Sequence, residues 1–338
     1  MKKSKIKIKV WLCIFITVCF IALYGVFVYR FPQRNITWGV NFSQMQAENL
    51  KLDWRKVYLA ILEDLGVKNI KLLTQWDWVE GQRGDYYFND IDWQVRQAEI
   101  HNAKIIYVVG MKTGRWPECH VPSWADTISK QDQQDVLLEY ITRVVQRYKD
   151  SPAIIAWQAE NEPLFHFGKC PWYDKEFLKK EVALIKQLDP SRPVIVSDTG
   201  DQSLWVDATK IGDILGITMY RKVWVHVTDD FGFYLTYPYP PNFYGIKARI
   251  AEALSGKKVI VVEYQAEPWN SEVFYNVPLE EQEKSMNFEQ FKLNIAFAKR
   301  TGIEQYYLWG GEWWYWLKET QNKPEIWNES RGLFGAGD

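Results

Sequence analysis

The chain lacks a strong charge of either sign. Its 338 residues hold 41 basic and 42 acidic side chains, for a formal net charge of −1. No basic stripe is gathered anywhere along it, which removes nucleic acid from the expected partners. Low-complexity tracts are absent, as is any repeat shorter than a strand–helix unit, and no composition shift marks a second folded domain. A length of this order is normal for one α/β barrel. Cysteine is scarce. Of four, Cys13 and Cys19 lie in an N-terminal apolar segment, and Cys119 and Cys170 fall between predicted elements. Neither Cys13 nor Cys19 follows the small residue that a lipoprotein signal needs. Small residues are also missing at the end of the apolar run, Val26-Phe27-Val28-Tyr29, where a cleaved signal peptide would carry them.

That apolar run is the first positive feature. Lys2, Lys3, Lys5, Lys7 and Lys9 precede twenty uncharged residues, 10–29. Twenty residues at ~1.5 Å each span the ~30 Å core of a bilayer. The lysines place the N-terminus in the cytoplasm and the remainder outside it. The expected organisation is a basic cytoplasmic tail at 1–9, an uncleaved single-pass transmembrane signal anchor at 10–29, and an extracytoplasmic domain at 35–338. A cleaved signal peptide is the alternative. The second positive feature is aromatic: 18 Trp and 19 Tyr. Rigid amphipathic rings suit flat amphipathic ligands, although many fill cores. Trp309, Trp313, Trp314 and Trp316, crowded into a Gly-containing segment, are read as the least core-like of them.

Strand-like and helix-like stretches alternate through the rest. Strands are expected at 36–42, 67–73, 104–109, 153–159, 193–197, 213–219, 257–263 and 303–309. Helices are expected at 48–65, 90–102, 129–149, 173–188, 204–210, 243–255, 280–301 and 324–333. Ser129 with Asp132 reads as the start of a capping box. Eight strand–helix units in order predict a (β/α)8 TIM barrel. Two of its strands end in glutamates. Ala153-Ile154-Ile155-Ala156 leads into Trp157-Gln158-Ala159-Glu160-Asn161-Glu162-Pro163, and Val259-Ile260-Val261-Val262 leads into Glu263. Glu162 and Glu263 lie 101 residues apart, close to three units of ~31 residues each. A carboxylate ending a buried strand is costly unless it is paired or used. Two of them on one rim have the geometry of a glycosidase. In a parallel barrel the chemistry lies at the strand C-termini, where the sequence also places Asn41, Gln75, Trp76, Asp77, Lys112, Arg115, His120, Asn161, Asp198, Asp201, Tyr220, Arg221, Gln265, Trp309 and Glu312.

Asn161-Glu162-Pro163 after a Trp-Gln-containing strand, with Glu263 at the seventh strand and Trp309 at the eighth, resembles the retaining glycoside hydrolase clan of (β/α)8 barrels that includes the cellulase-like family 5. Trp78-Val79-Glu80, then Gly84-Asp85-Tyr86-Tyr87-Phe88 and Asp92, resembles a segment common after that clan's second strand. The resemblance covers about residues 35–335. It implies cleavage of O-glycosidic bonds, β-linked by expectation, in poly- or oligosaccharides by double displacement. Glu162 would be acid/base and Glu263 the nucleophile, with carboxyl groups ~5–5.5 Å apart. Asn161 would hold the sugar 2-hydroxyl, Tyr220 would donate to Glu263, and Trp309 would stack the sugar. Trp76 and Gln265 are further expected substrate contacts. No cofactor and no metal are implied, and a monomer is expected. Glu267 competes with Glu263 as nucleophile if the seventh strand runs further. Many clan members carry an arginine at the end of the second strand. Here Lys71 stands alone, able to give a positive charge but not a bidentate contact.

Cys119 and Cys170 follow neighbouring strands, and outside the cytoplasm they are expected to pair. A metal site with His120 and His166, or free thiols, is the alternative. The competing function is a membrane-anchored, non-catalytic carbohydrate-binding barrel.

Overall fold

In the computed structural model, residues 9–18, 20, 24–25, 29–32, 35–228 and 231–335 are described. The expected membrane span at 10–29 lies partly outside these residues, and the tail at 1–9 almost wholly so. Among the described residues no helix is long and apolar enough to cross a membrane.

Among the described residues ten strands form in chain order: β1 (Thr37–Phe42), β2 (Asn69–Leu72), β3 (Lys104–Val109), β4 (Ile154–Ala159), β5 (Val194–Thr199), β6 (Ile214–Met219), β7 (Lys222–His226), β8 (Gly232–Thr236), β9 (Val259–Gln265) and β10 (Gln305–Trp309). Eight of them close into a parallel barrel in the order β1-β10-β9-β6-β5-β4-β3-β2, the predicted (β/α)8 fold. Its strands are apolar on both faces because each is buried twice, against helices outside and against its neighbours' side chains inside. Ile106, Ala156, Ile195, Ile260, Val262 and Tyr307 pack together as the inner layer. A much larger cluster joins the outer faces of the strands to the helices.

The register holds one irregularity that bears on the site. Ile217 of β6 pairs with Val261 of β9, yet the next residue, Thr218, pairs with Glu263. The same slip appears against β10, where Tyr306 pairs with Val261 and Leu308 with Tyr264. One extra residue in β9 at this point is a β-bulge, which breaks strict alternation and re-aims a side chain. Val262 joins the inner layer, and Glu263 turns to the same interior rather than outward.

Most expected helices form, with local causes for the exceptions. The stretch 48–65 is two helices, Gln44–Asn49 and Trp54–Glu63. Lys51 sits at φ 60, and the Asp53 carboxylate then accepts from the amides of Arg55 and Lys56 to start the second helix. The stretch 280–301 likewise divides, and Asn287 caps Phe288–Ala298 by accepting from Gln290. Ser129 caps Lys130–Tyr148 as expected, accepting from the Asp132 amide and donating to its carboxylate at 2.7 Å. The antiparallel hairpin β7–β8 was not anticipated.

The aromatic segment after β10 corrects the sequence reading. Gly311–Thr320 is a helix, and Trp313 and Trp314 are fully buried. The Trp313 indole donates to Gln282 Oε1 and that of Trp314 to the Ala266 carbonyl, each at 2.7 Å. They are core residues that happen to be crowded in sequence. Trp314→Ala should therefore destabilise the full-length protein by ~3–5 kcal/mol, the range for deleting a buried aromatic side chain. A urea midpoint within error of the wild type would refute this placement.

Candidate active site

The site is built on a strained turn. Glu160 at φ 59 and Glu162 at φ 44 flank Asn161 in the left-handed region, which non-glycine residues adopt at a cost of roughly 1–3 kcal/mol each unless their surroundings hold them there. The surroundings do so. The Glu160 carboxylate accepts from the amides of Met111, at 2.9 Å, and Lys112. Gly110 makes room for it, since a Cβ there would lie 2.3 Å from the Glu160 carboxyl carbon. Gln158 Nε2 donates to the Glu160 carbonyl at 2.9 Å. The Glu162 amide donates to Ser197 Oγ at 2.8 Å. The Lys112 ammonium donates to the carbonyls of Glu162 and Phe165, at 3.0 and 2.8 Å. Behind Glu160 stands Glu181, pushed well above the ordinary range by burial and then by the charge of Glu160. Burial raises Glu160 as well, but the Glu181 side chain and the two amides oppose that shift.

Glu162 and Glu263 both reach the C-terminal mouth of the barrel, as the sequence reading required. Glu162 Oε1 accepts from Thr218 Oγ1 at 2.7 Å. Its carboxyl is pushed up to about 8, first by burial and then by the charge of Glu263. Glu263 is held differently. One oxygen accepts from Lys71 Nζ at 2.8 Å and the other from the Tyr220 hydroxyl at 2.9 Å. Lys71 Nζ also donates to Asn161 Oδ1 at 3.1 Å. One buried cation therefore ties the fourth-strand asparagine to the seventh-strand glutamate, where an arginine was missing from the sequence.

Arg115, on the loop after β3, gathers a second cluster. It donates to Glu267 and, at 3.2 Å, to Glu312 Oε2. Glu312 Oε1 in turn accepts from the Ser43 amide at 2.5 Å. Glu267 is thus engaged away from Lys71 and Tyr220, and burial pushes its carboxyl up to about 7 against the pull of Arg115. The Arg115 guanidinium also lies 4.2 Å from the centre of the Trp309 ring. The expected sugar platform is buried and carries a cation on one face.

Two expected substrate contacts are placed elsewhere. Trp76 is fully buried, bonded through its indole to Glu80 Oε2 at 2.8 Å and packed on Trp124 and Tyr140. Gln265 is buried with its amide spent on backbone: it accepts from the amides of Arg221 and Lys222 and donates to the Lys222 carbonyl. It clamps the segment that carries Tyr220 and does not face the mouth. Conversely, Glu118 was not singled out in the sequence. It stands at φ 76 between Pro117 and Cys119, and its carboxyl is pushed up to about 7, chiefly by burial, with Lys112 opposing. Cys119 and Cys170 are joined, S–S 2.04 Å, and this bridge fixes the loop after β3 to the loop after β4. Nothing in the local sequence of Glu118 signals its position, because the bridge and the turn before it set it.

The family model for the glycosyl hydrolases family 2 TIM barrel domain matches residues 97–326. A probable mannan endo-1,4-β-mannosidase F from Aspergillus flavus is 32% identical over 120 residues, which are 32% of this chain and 25% of that protein. The human β-glucuronidase is 30% identical over 106 residues, 31% of this chain and 15% of that one. The chain thus spans about a quarter or less of the length of these curated relatives. Among solved structures, a GH10 endoxylanase from a sugarcane soil metagenome superposes with a TM-score of 0.54 at 18% identity, covering 82% of this chain and 86% of that one. That last likeness is one of fold.

The Lys71–Glu263 pair is almost wholly buried, with side chains 0% and 4% exposed. Removing one partner of such a pair leaves an uncompensated charge and costs ~3–5 kcal/mol. Lys71→Met should lose stability on that scale, and adding Glu263→Gln should recover most of it. A Lys71→Met protein as stable as the wild type in urea would contradict the pairing.

Proposed function

The chain belongs to the glycosyl hydrolases family 2 TIM-barrel family, and on that premise we propose that it is a retaining glycoside hydrolase of β-linked sugars. Glu162 serves as acid/base and Glu263 as nucleophile. The observation that carries this reading is the opposite treatment of two carboxyls at one barrel mouth. Glu162 is buried and pushed up to about 8, so it holds a proton at neutral pH for the departing oxygen. Glu263 receives an ammonium and a phenol hydroxyl, which stabilise an anion and fix it for attack. Two carboxyls held in environments this different suit the separate roles of acid and nucleophile. Asn161, locked beside Glu263 through Lys71, suits contact with the sugar 2-hydroxyl, where hydrogen bonds strengthen in the transition state. The relatives named above act, by name, on β-mannan and β-glucuronides, so β-linked mannosides are the first substrates to offer.

Glu263→Ala should lose turnover of a natural glycoside by several orders of magnitude, and azide should restore reaction on an activated aryl glycoside with inverted configuration. Glu162→Ala should still be glycosylated by substrates with good leaving groups, and azide should release the product with retention. Proton loss from Glu162 sets a basic limb. In the wild type, kcat/KM should fall as pH rises through about 8, because the donor form is lost. In Glu162→Ala assayed on the activated substrate this limb should vanish. Exchanged stereochemical outcomes would reverse the roles, and activity in Glu263→Ala without azide, with loss in Glu267→Ala, would move the nucleophile to Glu267.

We further propose that the segment at 10–29 anchors the protein with its barrel outside the cytoplasm. The five lysines and the uncharged run support this. So does the exposure of Trp11, Phe15 and Phe20, at 70%, 65% and 69%, apolar rings that the barrel does not cover. The full chain should sediment with membranes and resist carbonate extraction. Recovery of the full-length chain in the soluble fraction would refute the anchor.

A further inference from the structure

A row of aromatic rings leaves the mouth of the barrel and is not part of its core. It starts at Tyr220, whose hydroxyl bonds Glu263. The Trp269 ring stands edge-on to Tyr220 at 4.9 Å between centroids. Phe167 lies 5.8 Å from Trp269. Trp116 lies 6.2 Å from Phe167, and Phe165 stacks on Phe167 at 6.1 Å. None of these five rings packs in or against the hydrophobic core clusters. All are partly open to solvent, and Trp116 is 45% exposed. Four separate barrel loops contribute them, so their alignment reflects the tertiary fold and not local sequence.

The row is built to stay in place. The disulfide joins the loop of Trp116 to that of Phe167. The Lys169 amide donates to the Pro117 carbonyl at 2.9 Å, and the Tyr173 hydroxyl to the Phe167 carbonyl at 3.1 Å. The Lys112 ammonium clamps the carbonyls of Glu162 and Phe165 together. The Trp269 amide donates to Ser285 Oγ at 2.9 Å. A fixed ring gives contact area at low entropic cost, since little freedom remains to be lost on binding.

From this geometry we infer that Trp269, Phe167 and Trp116 form a binding platform for further pyranose units on the leaving-group side of the scissile bond. The enzyme would thus act on β-linked oligo- or polysaccharide chains. This deepens the function proposed above and rests on it. The side follows from Glu162. The acid/base protonates the leaving oxygen, and Phe165 and Phe167 follow it within the clamped turn, so what lies over them is the departing chain. The faces of a pyranose ring carry C–H groups that pack on aromatic surfaces, and successive sugars need successive rings. A chain cut only at single terminal residues with small leaving groups would have no use for rings extending to Trp116.

The test uses the full-length protein in detergent, with Trp116→Ala and Phe167→Ala, neither of which touches a catalytic carboxyl. Substrates are an aryl β-mannoside, an aryl β-glucoside and an aryl β-xyloside, with the matching β-1,4-linked oligosaccharides of about two to about six units. Isothermal titration of the same oligosaccharides into Glu162→Gln reads binding without turnover. The expected result is aryl-glycoside kcat/KM within about two-fold of wild type in both variants. With the longer oligosaccharides kcat/KM should fall about ten-fold, through KM, a shift of one decade in affinity. The binding constant in Glu162→Gln should rise with chain length and lose that rise when Trp116 is also replaced. Equal losses on aryl and oligomeric substrates, a wild-type affinity independent of chain length, or no binding of any of the three series would each overturn the platform. Chain-length-dependent binding without turnover of any substrate would leave the platform standing and overturn the hydrolase reading instead.

Discussion

One ammonium group organises the mouth of this barrel. Lys71 Nζ, fully buried, bonds Glu263 from the seventh barrel strand and Asn161 from the loop after the fourth. Burying a lone ammonium or a lone carboxylate costs several kcal/mol, and only a pair with good additional hydrogen bonds offsets that. Tyr220 supplies the further bond to Glu263, and Gln158 the further bond to Asn161 at 3.2 Å. The network therefore selects a structure in which β2, β4, β6 and β9 meet in one register. The bulge in β9 exists within that constraint: without the extra residue between Val261 and Tyr264, Glu263 would follow the outward face of its strand and Lys71 would have no counterion.

Three further acids crowd the same end of the barrel, and their separation follows from where the cations stand. Lys71 serves Glu263, Arg115 serves Glu267 and Glu312, and Lys112 is the largest opposing charge on Glu118. Among the described residues no cation bonds the Glu162 carboxyl; Thr218 Oγ1 donates to it, and burial is the largest influence on its protonation. Burial favours the neutral carboxyl and a bonded cation opposes it, as burial and Arg115 do at Glu267. The proposed division of acid and nucleophile follows the distribution of three cations among five carboxyls.

The sequence carried the barrel well, because each strand is a short doubly buried apolar run and each outer helix an amphipathic one. It carried the positions of Asn161, Glu162, Tyr220 and Glu263, since all four fall at strand ends. What it did not carry depends on contacts distant in the chain. Trp76 and Gln265 sit at strand ends too, yet Glu80 takes one and the backbone of Arg221 and Lys222 the other. The interruption of the stretch 48–65 at Lys51 and Asp53 is local, and the sequence reading missed it by passing over the Asp53 cap. The hairpin β7–β8 was not anticipated, being an insertion after β6 that pairs only with itself.

The covered face of Trp309 fits with the aromatic row outside it. Arg115 lies on Trp309 through a loop that also carries Trp116, and the next cysteine ties that loop to the segment after Glu162. A single short stretch, Arg115 to Cys119, therefore fixes one face of the innermost ring and presents the outermost one. Arg115 is itself locked by Glu267 and Glu312, from the far side of the mouth. Loops on opposite sides of the barrel are thus cross-braced through charge, and the braced loops hold the rings in line. Stacking surfaces that must accept a long chain need alignment more than strength, and a charge brace anchored in buried acids supplies alignment without filling the cleft with apolar side chains.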